Sequence, residues 1–433
     1  MAVPAMTLDI AFFIFIKGIS PSMKKFDVIV IGAGPAGMMT AIRAADRKRN
    51  VLLIERNPAL GKKLLISGKG RCNLTNSCDI EDFLEKFSES RDFLRNAFAR
   101  FFNTDLMSFF EDAGVKLKTE RGGRVFPKSD KSDDILSALR SKLKNKNIKI
   151  LSGERVREVV VKDKKIAGVL MYSGKLFLTR CAAIATGGLS YPETGSTGDG
   201  YKIAETLGHK IVPSRPALSP IIIKERFVRD WQGISLRNIR LTLFSGGKRV
   251  DERFGEMLFT HFGLSGPSVL DISASIYDEL KLKNDVEISI NFKPALDHKK
   301  VDARLLREFN TNPRKSIKNI FKNILPQGTI TRFLEYCGIN GNKNASQVTA
   351  EERKKLTNGL FDLRLTVEGV MPAKDGIVTR GGVNTKEIDP KTMESRLIKG
   401  LFFSGEVIDI DAKTGGYNMQ AAFSTGWVCG DNI

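Results

Sequence analysis

The sequence predicts an α/β protein in which a doubly wound, dinucleotide-binding domain is interrupted by an inserted module. Three observations carry this. A continuous apolar run at residues 27–31 (DVIVI) enters Gly32-Ala33-Gly34-Pro35-Ala36-Gly37, helical spacing of small and apolar residues follows to Ala45, and a second apolar run at 51–54 ends at Glu55. The same buried-strand pattern returns at 181–185 (CAAIA) and 401–404 (LFFS), each time closing on glycine. Between about Tyr191 and Met371 the chain changes character, with strand-like alternation up to Lys293 and helical pattern from Val301 to Phe361. The expected organisation is residues 1–22 as an extension outside the fold, 23–190 with 372–433 as the dinucleotide-binding domain, 191–297 as a β-rich insert and 298–371 as a helical subdomain.

Length and composition permit this plan. The 433 residues suit roughly two to four ordinary domains, and 42% hydrophobic residues describe a globular chain, not a disordered or fibrous one. A surplus of +20 could attract an anionic cofactor, nucleic acid or an acidic surface. Five widely spread cysteines without a CxxC pair argue against a disulfide framework and suit a reducing cytoplasm. His209, His261 and His298 share no metal-ligand spacing, so no metal is expected. The apolar run at 8–16 is too short for a bilayer and holds Asp9, so no membrane span is expected. Met23 stands immediately before the first strand pattern, which is where the fold is expected to begin.

The remaining elements follow in order. Residues 83–110 carry Phe87, Leu94, Phe98, Phe101 and Phe109 at roughly helical intervals and read as one or two amphipathic helices. Another helix is expected over 132–144, with Ser132 as its N-cap. Strand patterns at 156–161, 166–172 and 176–178 make an antiparallel meander. A last helix is expected from about Asn418.

The chemistry is carried first by the glycine motif in this context. Gly32 permits the tight turn, Gly34 lets the backbone approach a pyrophosphate, and Gly37 lets helix and strand pack closely. The helix N-terminus offers N–H groups and partial positive charge to phosphates. Glu55, 23 residues beyond Gly32, can accept hydrogen bonds from ribose hydroxyls and repels a 2′-phosphate, which favours FAD or NAD over NADP at this site. FAD is separated from NAD by three further features: the loop 57–76 after the second strand, the meander, and Gly405-Glu406 after LFFS, whose carboxylate can bind ribitol hydroxyls. The helix after Gly415-Gly416-Tyr417-Asn418 would aim its N-terminus at the flavin N1/O2 edge.

The segments LLISGKGRCNLTN, GRVFPKS, ATGGLSYPETGSTGDGY, LFTHFGLSGP and LFFSGEVIDIDAKTGGYNMQAAFSTG resemble the bacterial NAD(P)/FAD-dependent oxidoreductase family that includes aminoacetone oxidase and bile-acid 3-dehydro Δ4,6-reductase. The resemblance covers essentially residues 23–430. It implies a glutathione-reductase-type FAD domain of Rossmann-like form, with an inserted β-barrel-like domain and a helical subdomain. It puts Ala33, Gly34, Pro35 and Ala36 on the pyrophosphate, Glu55 with Arg56 on the adenosine ribose, and the Val156 backbone on adenine. Lys62, Lys63, Ser67, Gly68 and Asn73 fall in the loop beside the flavin, and Thr186, Gly187 and Gly188 approach the pyrophosphate or ribitol. Gly405, Glu406, Gly416 and Asn418 complete the site. For Lys62 and Lys63 a solvated basic turn is an equal alternative.

Two residues invite further roles. Cys72 and Cys78 are separated by five residues rather than the four of a dithiol reductase, so Cys72 reads as a buried thiol. His261, in Thr260-His261-Phe262-Gly263, is either a general acid that protonates the substrate or a histidine that ties loops together. It places the expected substrate site between its own segment and the loop 67–73. The function these features predict is hydride transfer between a small organic substrate and flavin N5, with NADH, NADPH or oxygen as the other redox partner. The alternative is a flavin-dependent RNA-modifying or RNA-binding protein. The basic residues are scattered without interleaved aromatics, so nucleic acid is not the expected partner.

Overall fold

The computed structural model describes residues 20–87 and 89–433. The chain divides into two compact units, one running to Arg215 and resuming over Val378–Ile433, the other Pro216–Ile377.

The first unit is built on a five-stranded sheet in the order Leu401–Phe403, Cys181–Ile184, Val28–Ile31, Val51–Glu55 and Ile148–Ser152, with every neighbouring pair parallel. The strands Val28–Ile31, Val51–Glu55 and Leu401–Phe403 are wholly buried and Cys181–Ile184 nearly so, which explains their unbroken apolar sequence. The Ile148–Ser152 strand lies at the edge and is mostly half-exposed or exposed, so it lacks that sequence signal. Helix Pro35–Asp46 makes the first crossover, and the terminal helix Tyr417–Asn432 lies against it. Gly426 and Gly430 face the Ala36 and Thr40 carbonyls, where a Cβ would have no room.

The meander is present as Val156–Lys162, Lys165–Met171 and Lys175–Leu178. Its free edge is taken by a strand over Ser20–Lys25 that pairs in parallel with Lys175–Leu178. Residues 20–22, expected outside the fold, therefore belong to this sheet: an open edge offers unpaired N–H and C=O groups to any backbone, whatever its side chains. The rest of the expected extension lies outside the described residues.

The phenylalanine-rich region forms three helices, Ile80–Leu84, Arg91–Arg100 and Asn103–Glu111. Phe83 is central to their packing, with ring centroids 5.1 Å from Phe98 and 4.7 Å from Tyr417. The next helix, Ser132–Lys142, has its cap one residue earlier than expected. Lys131 holds the N-cap position, and the Ser132 hydroxyl instead donates to the Leu65 carbonyl at 2.7 Å.

The first unit also keeps residues 191–215, which were expected in the insert. Helix Asp199–Thr206 is tied there by the Asp199 carboxylate, which accepts from Arg155 at 2.7 Å and Arg56 at 3.2 Å. The second unit is a closed six-stranded barrel whose neighbours run Ile221–Ile223, Gly263–Ser265, Lys248–Phe259, Ser235–Ser245, Val286–Asn291 and Leu363–Val370. The helices from residue 298 to 361 share one apolar core with it, and the strand Leu363–Val370, expected within the helical part, closes the barrel.

Candidate functional site

Local geometry at the glycine turn follows the requirements of each position. Gly32 has φ +104°, a value that disfavours any side chain, and donates its N–H to the Ile54 carbonyl at 2.8 Å. A Cβ on Gly37 would run into the Gly32 carbonyl. A Cβ on Gly34 would meet no heavy atom within 4 Å. Thus Gly37 serves helix–strand packing, whereas the space over Gly34 is left open by the protein. No side chain caps helix Pro35–Asp46, Pro35 has no N–H to satisfy, and the first intrahelical bond runs from Met38 to Gly34 at 2.9 Å. The N–H groups of Ala36 and Gly37 therefore stand at a positive helix end.

Glu55 is buried and joined to this turn. One carboxylate oxygen accepts the Ala33 N–H at 2.8 Å, and the other accepts the Asn57 backbone and side-chain N–H groups, both at 2.9 Å. The oxygen bonded to Ala33 keeps a further lone pair for an incoming donor. Arg56 is committed elsewhere, to the Thr197 hydroxyl and Asp199. Val156 is buried at the head of its strand, opposite Met171.

A second knot forms around Glu406. Its carboxylate accepts from Lys63 Nζ at 2.6 Å, from the Ser190 hydroxyl at 3.1 Å and from the Thr379 N–H at 2.8 Å. Gly188 packs onto this carboxylate: a Cβ there would come within 3.1 Å of Glu406 Oε1. Gly405 (φ +74°) gives its N–H to Thr425 at 2.9 Å and lies against Ala36, bringing the end of the last strand to the glycine-turn helix. The Glu406 carboxylate is thus already held by a lysine. Lys63 is an ion-pair partner, and Lys62 makes no ion pair among the described residues.

A third cluster joins the loop after Ile66 to the terminal helix. Gly68, Lys69, Gly70 and Cys72 all take positive φ, so two non-glycine residues sit in a conformation costing about 1–2 kcal/mol each. The Ser67 hydroxyl donates to the Leu64 carbonyl at 2.6 Å. Asn73 lies beside both glycines of the cluster: Cβ atoms on Gly68 and Gly416 would stand 2.8 Å from its N and 2.9 Å from its Oδ1. Gly416 (φ +99°) is the N-cap of helix Tyr417–Asn432. The Asn418 amide bonds Ala412 through both its oxygen (2.9 Å) and its nitrogen (2.8 Å), so this side chain braces the preceding loop. Burial pushes the Cys72 thiol up to about 12, which holds it protonated.

Two buried oxygens, Asn73 Oδ1 and Thr186 Oγ1, have no hydrogen-bond partner among the described residues. Buried polar atoms are rarely left so. Gly187 (φ +74°), next to Thr186, turns the chain toward Ser196. Together with the open space over Gly34 and the two uncapped helix ends, these orphans fit a polar, phosphate-bearing ligand with its own hydrogen-bond donors.

His261 belongs to the second unit. It sits exposed at the turn between Lys248–Phe259 and Gly263–Ser265, and its ring touches that of Phe262 at 4.9 Å. Ser190, Thr379 and Asp411 escaped the sequence reading. Thr379 has no motif and Ser190 no stated role within its segment, since both meet Glu406 only through the fold. Asp411, two residues beyond Asp409, is largely buried, and desolvation raises its carboxyl to about 6 despite Arg380 at 3.8 Å.

Comparison with known proteins now adds the family. Residues 26–432 match the model described as HI0933-like protein Rossmann domain. The chain belongs to this family. It is 31% identical over 403 residues to the 3-dehydro-bile acid delta(4,6)-reductase of Clostridium scindens, across 93% of this chain and 97% of that one. It is 33% identical over 417 residues to the ribosomal RNA dihydrouridine synthase of Escherichia coli, across 95% and 98%. Among solved structures, the 3-ketosteroid delta1-dehydrogenase of Sterolibacterium denitrificans shares the fold at TM-score 0.51 and 13% identity, across 94% and 98%. The resemblance read from the motifs is borne out: this is a flavin-dependent oxidoreductase with an FAD-binding Rossmann domain. No helix among the described residues is long and apolar enough to cross a membrane.

Proposed function

We propose that the protein reduces a carbon–carbon double bond conjugated to a carbonyl, with NADH or NADPH as the source of the hydride. The names of two relatives support this reaction class. A delta(4,6)-reductase acting on a 3-dehydro compound and a dihydrouridine synthase both saturate a C=C bond in conjugation with C=O. In such a bond the carbonyl draws charge, so hydride goes to the β-carbon and a proton to the α-carbon.

The observation that carries the cofactor assignment is the turn where the Cβ of Gly34 would meet nothing while that of Gly37 would strike backbone. In this reading Gly32, Ala33, Gly34, Pro35, Ala36 and Gly37 take the pyrophosphate, Glu55 the ribose hydroxyls, and Val156 the adenine. Arg56 acts indirectly by fixing Asp199. Thr186, Gly187, Gly188 and Glu406 with Lys63 line the ribitol, and Ser67, Gly68, Asn73, Gly405, Gly416 and Asn418 shape the ring end, with Lys62 at its margin. Bound there, the flavin supplies hydride acceptance and donation at N5. The N-terminus of Tyr417–Asn432 offsets negative charge on a reduced ring, and His261 is the candidate proton donor.

The substrate class follows in two readings. The first is a small unsaturated ketone, as in the bile-acid reductase. The second is uracil within RNA, favoured by the name shared by the E. coli relative and a 31% identical one from Haemophilus influenzae, and by the +20 charge. Anaerobic mixing with NADH or NADPH should bleach the flavin band, and a 3-oxo-4-ene steroid or unmodified ribosomal RNA should restore it. Restoration by neither, with rapid restoration by oxygen, would replace the reductase by an oxidase.

A further inference from the structure

The second unit carries a concentrated basic surface that the oxidoreductase chemistry does not use. Residues 298–322 hold eight basic and two acidic side chains. Helix His298–Thr311 buries Val301, Leu305 and Phe309, and the following segment buries Ile317, Ile320 and Phe321 in the same core. The segment is folded back along the helix by Arg304, which donates to the Asn323 carbonyl at 3.3 Å. It is held from its other side by Lys318 N–H to the Gly341 carbonyl at 2.9 Å and Ala345 N–H to the Lys315 carbonyl at 3.0 Å. With their apolar faces inward, both elements turn their cations out.

Lys299, Arg307, Arg314, Lys315, Lys318 and Lys322 are all exposed, and none has an ion-pair partner among the described residues. Of the two acids, Asp302 is taken by Arg353 at 2.7 Å. Elsewhere cations are commonly paired, as at Asp431, which gathers Arg43, Arg47 and Arg100. Exposed Asn310, Asn319 and Asn323 belong to the same stretch of chain and can hydrogen-bond ribose hydroxyls and phosphate oxygens. Ala303, Leu306, Arg307, Asn310 and Thr311 line a shallow open depression of about 400 Å³. Leu306 is the one exposed large apolar side chain of the segment, too little to anchor a membrane surface, which takes a continuous apolar face.

We propose that this surface, centred on Arg307, Lys315 and Lys318, docks the phosphate backbone of structured RNA. The proposal rests on the RNA reading of the substrate and gives that reading a binding face. The helix is about 21 Å long at 1.5 Å per residue. Exposed cations spread along the helix and the segment after it would contact several phosphates without reading sequence, so recognition here is by charge and shape.

The test compares full-length holoprotein with two triple variants of equal charge change: Arg307→Glu/Lys315→Glu/Lys318→Glu on the surface, and Lys144→Glu/Lys202→Glu/Lys386→Glu on exposed positions of the first unit. The probe is a fluorescein-labelled, unmodified 30-nucleotide RNA hairpin in 150 mM salt, read by anisotropy. Each lost phosphate contact is worth roughly fivefold at that salt, so the surface variant should bind about 100-fold more weakly, with a salt slope lower by about 3. The control should change less than about threefold. Equal weakening of both variants would reduce the effect to net charge and overturn the proposal, as would no weakening of the surface variant. Capture by anionic phosphatidylserine vesicles through the same three residues, without RNA binding, would overturn it in favour of a membrane. Both variants should keep the wild-type flavin spectrum and full re-oxidation by a steroid enone if that is the substrate. Failure of the reductase chemistry is therefore visible separately from failure of the docking surface.

Discussion

The two ends of the candidate cofactor site are built by different means. At the glycine turn, one short stretch of chain supplies the tight turn, the open approach and the helix end, and Glu55 on the neighbouring strand ties to it at 2.8 Å. At the other end, Asn73, Lys63, Ser190, Thr379, Glu406 and Gly416 come from positions spread over some 350 residues of chain. The first end is a local motif that any parallel sheet could present. The second is assembled only when the whole first unit has folded, so its groups can be spent on specificity for one ring system.

Substitutions at the glycine turn should expose this division most strongly. Gly37→Val forces a side chain into the Gly32 carbonyl and should cost more than about 4 kcal/mol, giving insoluble or unfolded protein by circular dichroism. A Cβ at Gly34 has no heavy atom within 4 Å, so the melting temperature of Gly34→Val without added flavin should stay within a few degrees of wild type while purified flavin content falls to near zero. Normal flavin content in Gly34→Val would remove the pyrophosphate from this turn. Glu55→Ala comes next. Losing charge-assisted hydrogen bonds should weaken FAD binding by roughly 2–4 kcal/mol, or about 30- to 1000-fold by titration of the flavin-free protein.

That contrast also explains what was legible in the sequence. Spacing alone identifies the buried strands, the helix at Pro35, the meander and the terminal helix, because buried parallel strands and glycine turns impose their own residue types. The strand over Ile148–Ser152 was not legible, since its half-exposed and exposed residues give it a mixed sequence. Nor was the sheet contribution of residues 20–22, which depends on backbone pairing. Closure of the barrel by Leu363–Val370 is a long-range pairing with Ile221–Ile223, and no local pattern announces it. At the site, Glu406 was visible as an acid after a glycine, but its lysine partner and its two other donors were not.

Smaller effects are expected at Asp411 and His261. Asp411 has its carboxyl raised from 3.8 to about 6 by burial, so its contribution to stability is full below pH 4 and is lost as pH rises through 6. Asp411→Asn should therefore flatten the pH dependence of stability, with a relative gain on the order of 3 kcal/mol at pH 8 over pH 4 in urea melts. An unchanged pH profile would show that the carboxyl is better solvated than its surroundings imply. His261→Ala should leave flavin content and melting temperature unchanged, because the side chain is exposed and packs beside the Phe262 ring. Its turnover should fall about 100-fold if His261 is the proton donor that we propose. Full turnover would assign protonation to another group.

The reaction class can be tested directly by following the hydride. In anaerobic turnover with a 3-oxo-4-ene steroid, or with uridine in unmodified ribosomal RNA, NADH and NADPH labelled with deuterium on the transferred position would be supplied in ordinary water, and the product analysed by NMR. Deuterium on the β-carbon and unlabelled hydrogen on the α-carbon is the predicted pattern. Deuterium on the carbonyl carbon, or an intact double bond with both substrates while NAD(P)H is consumed only in the presence of oxygen, would contradict conjugate reduction as the function of this site.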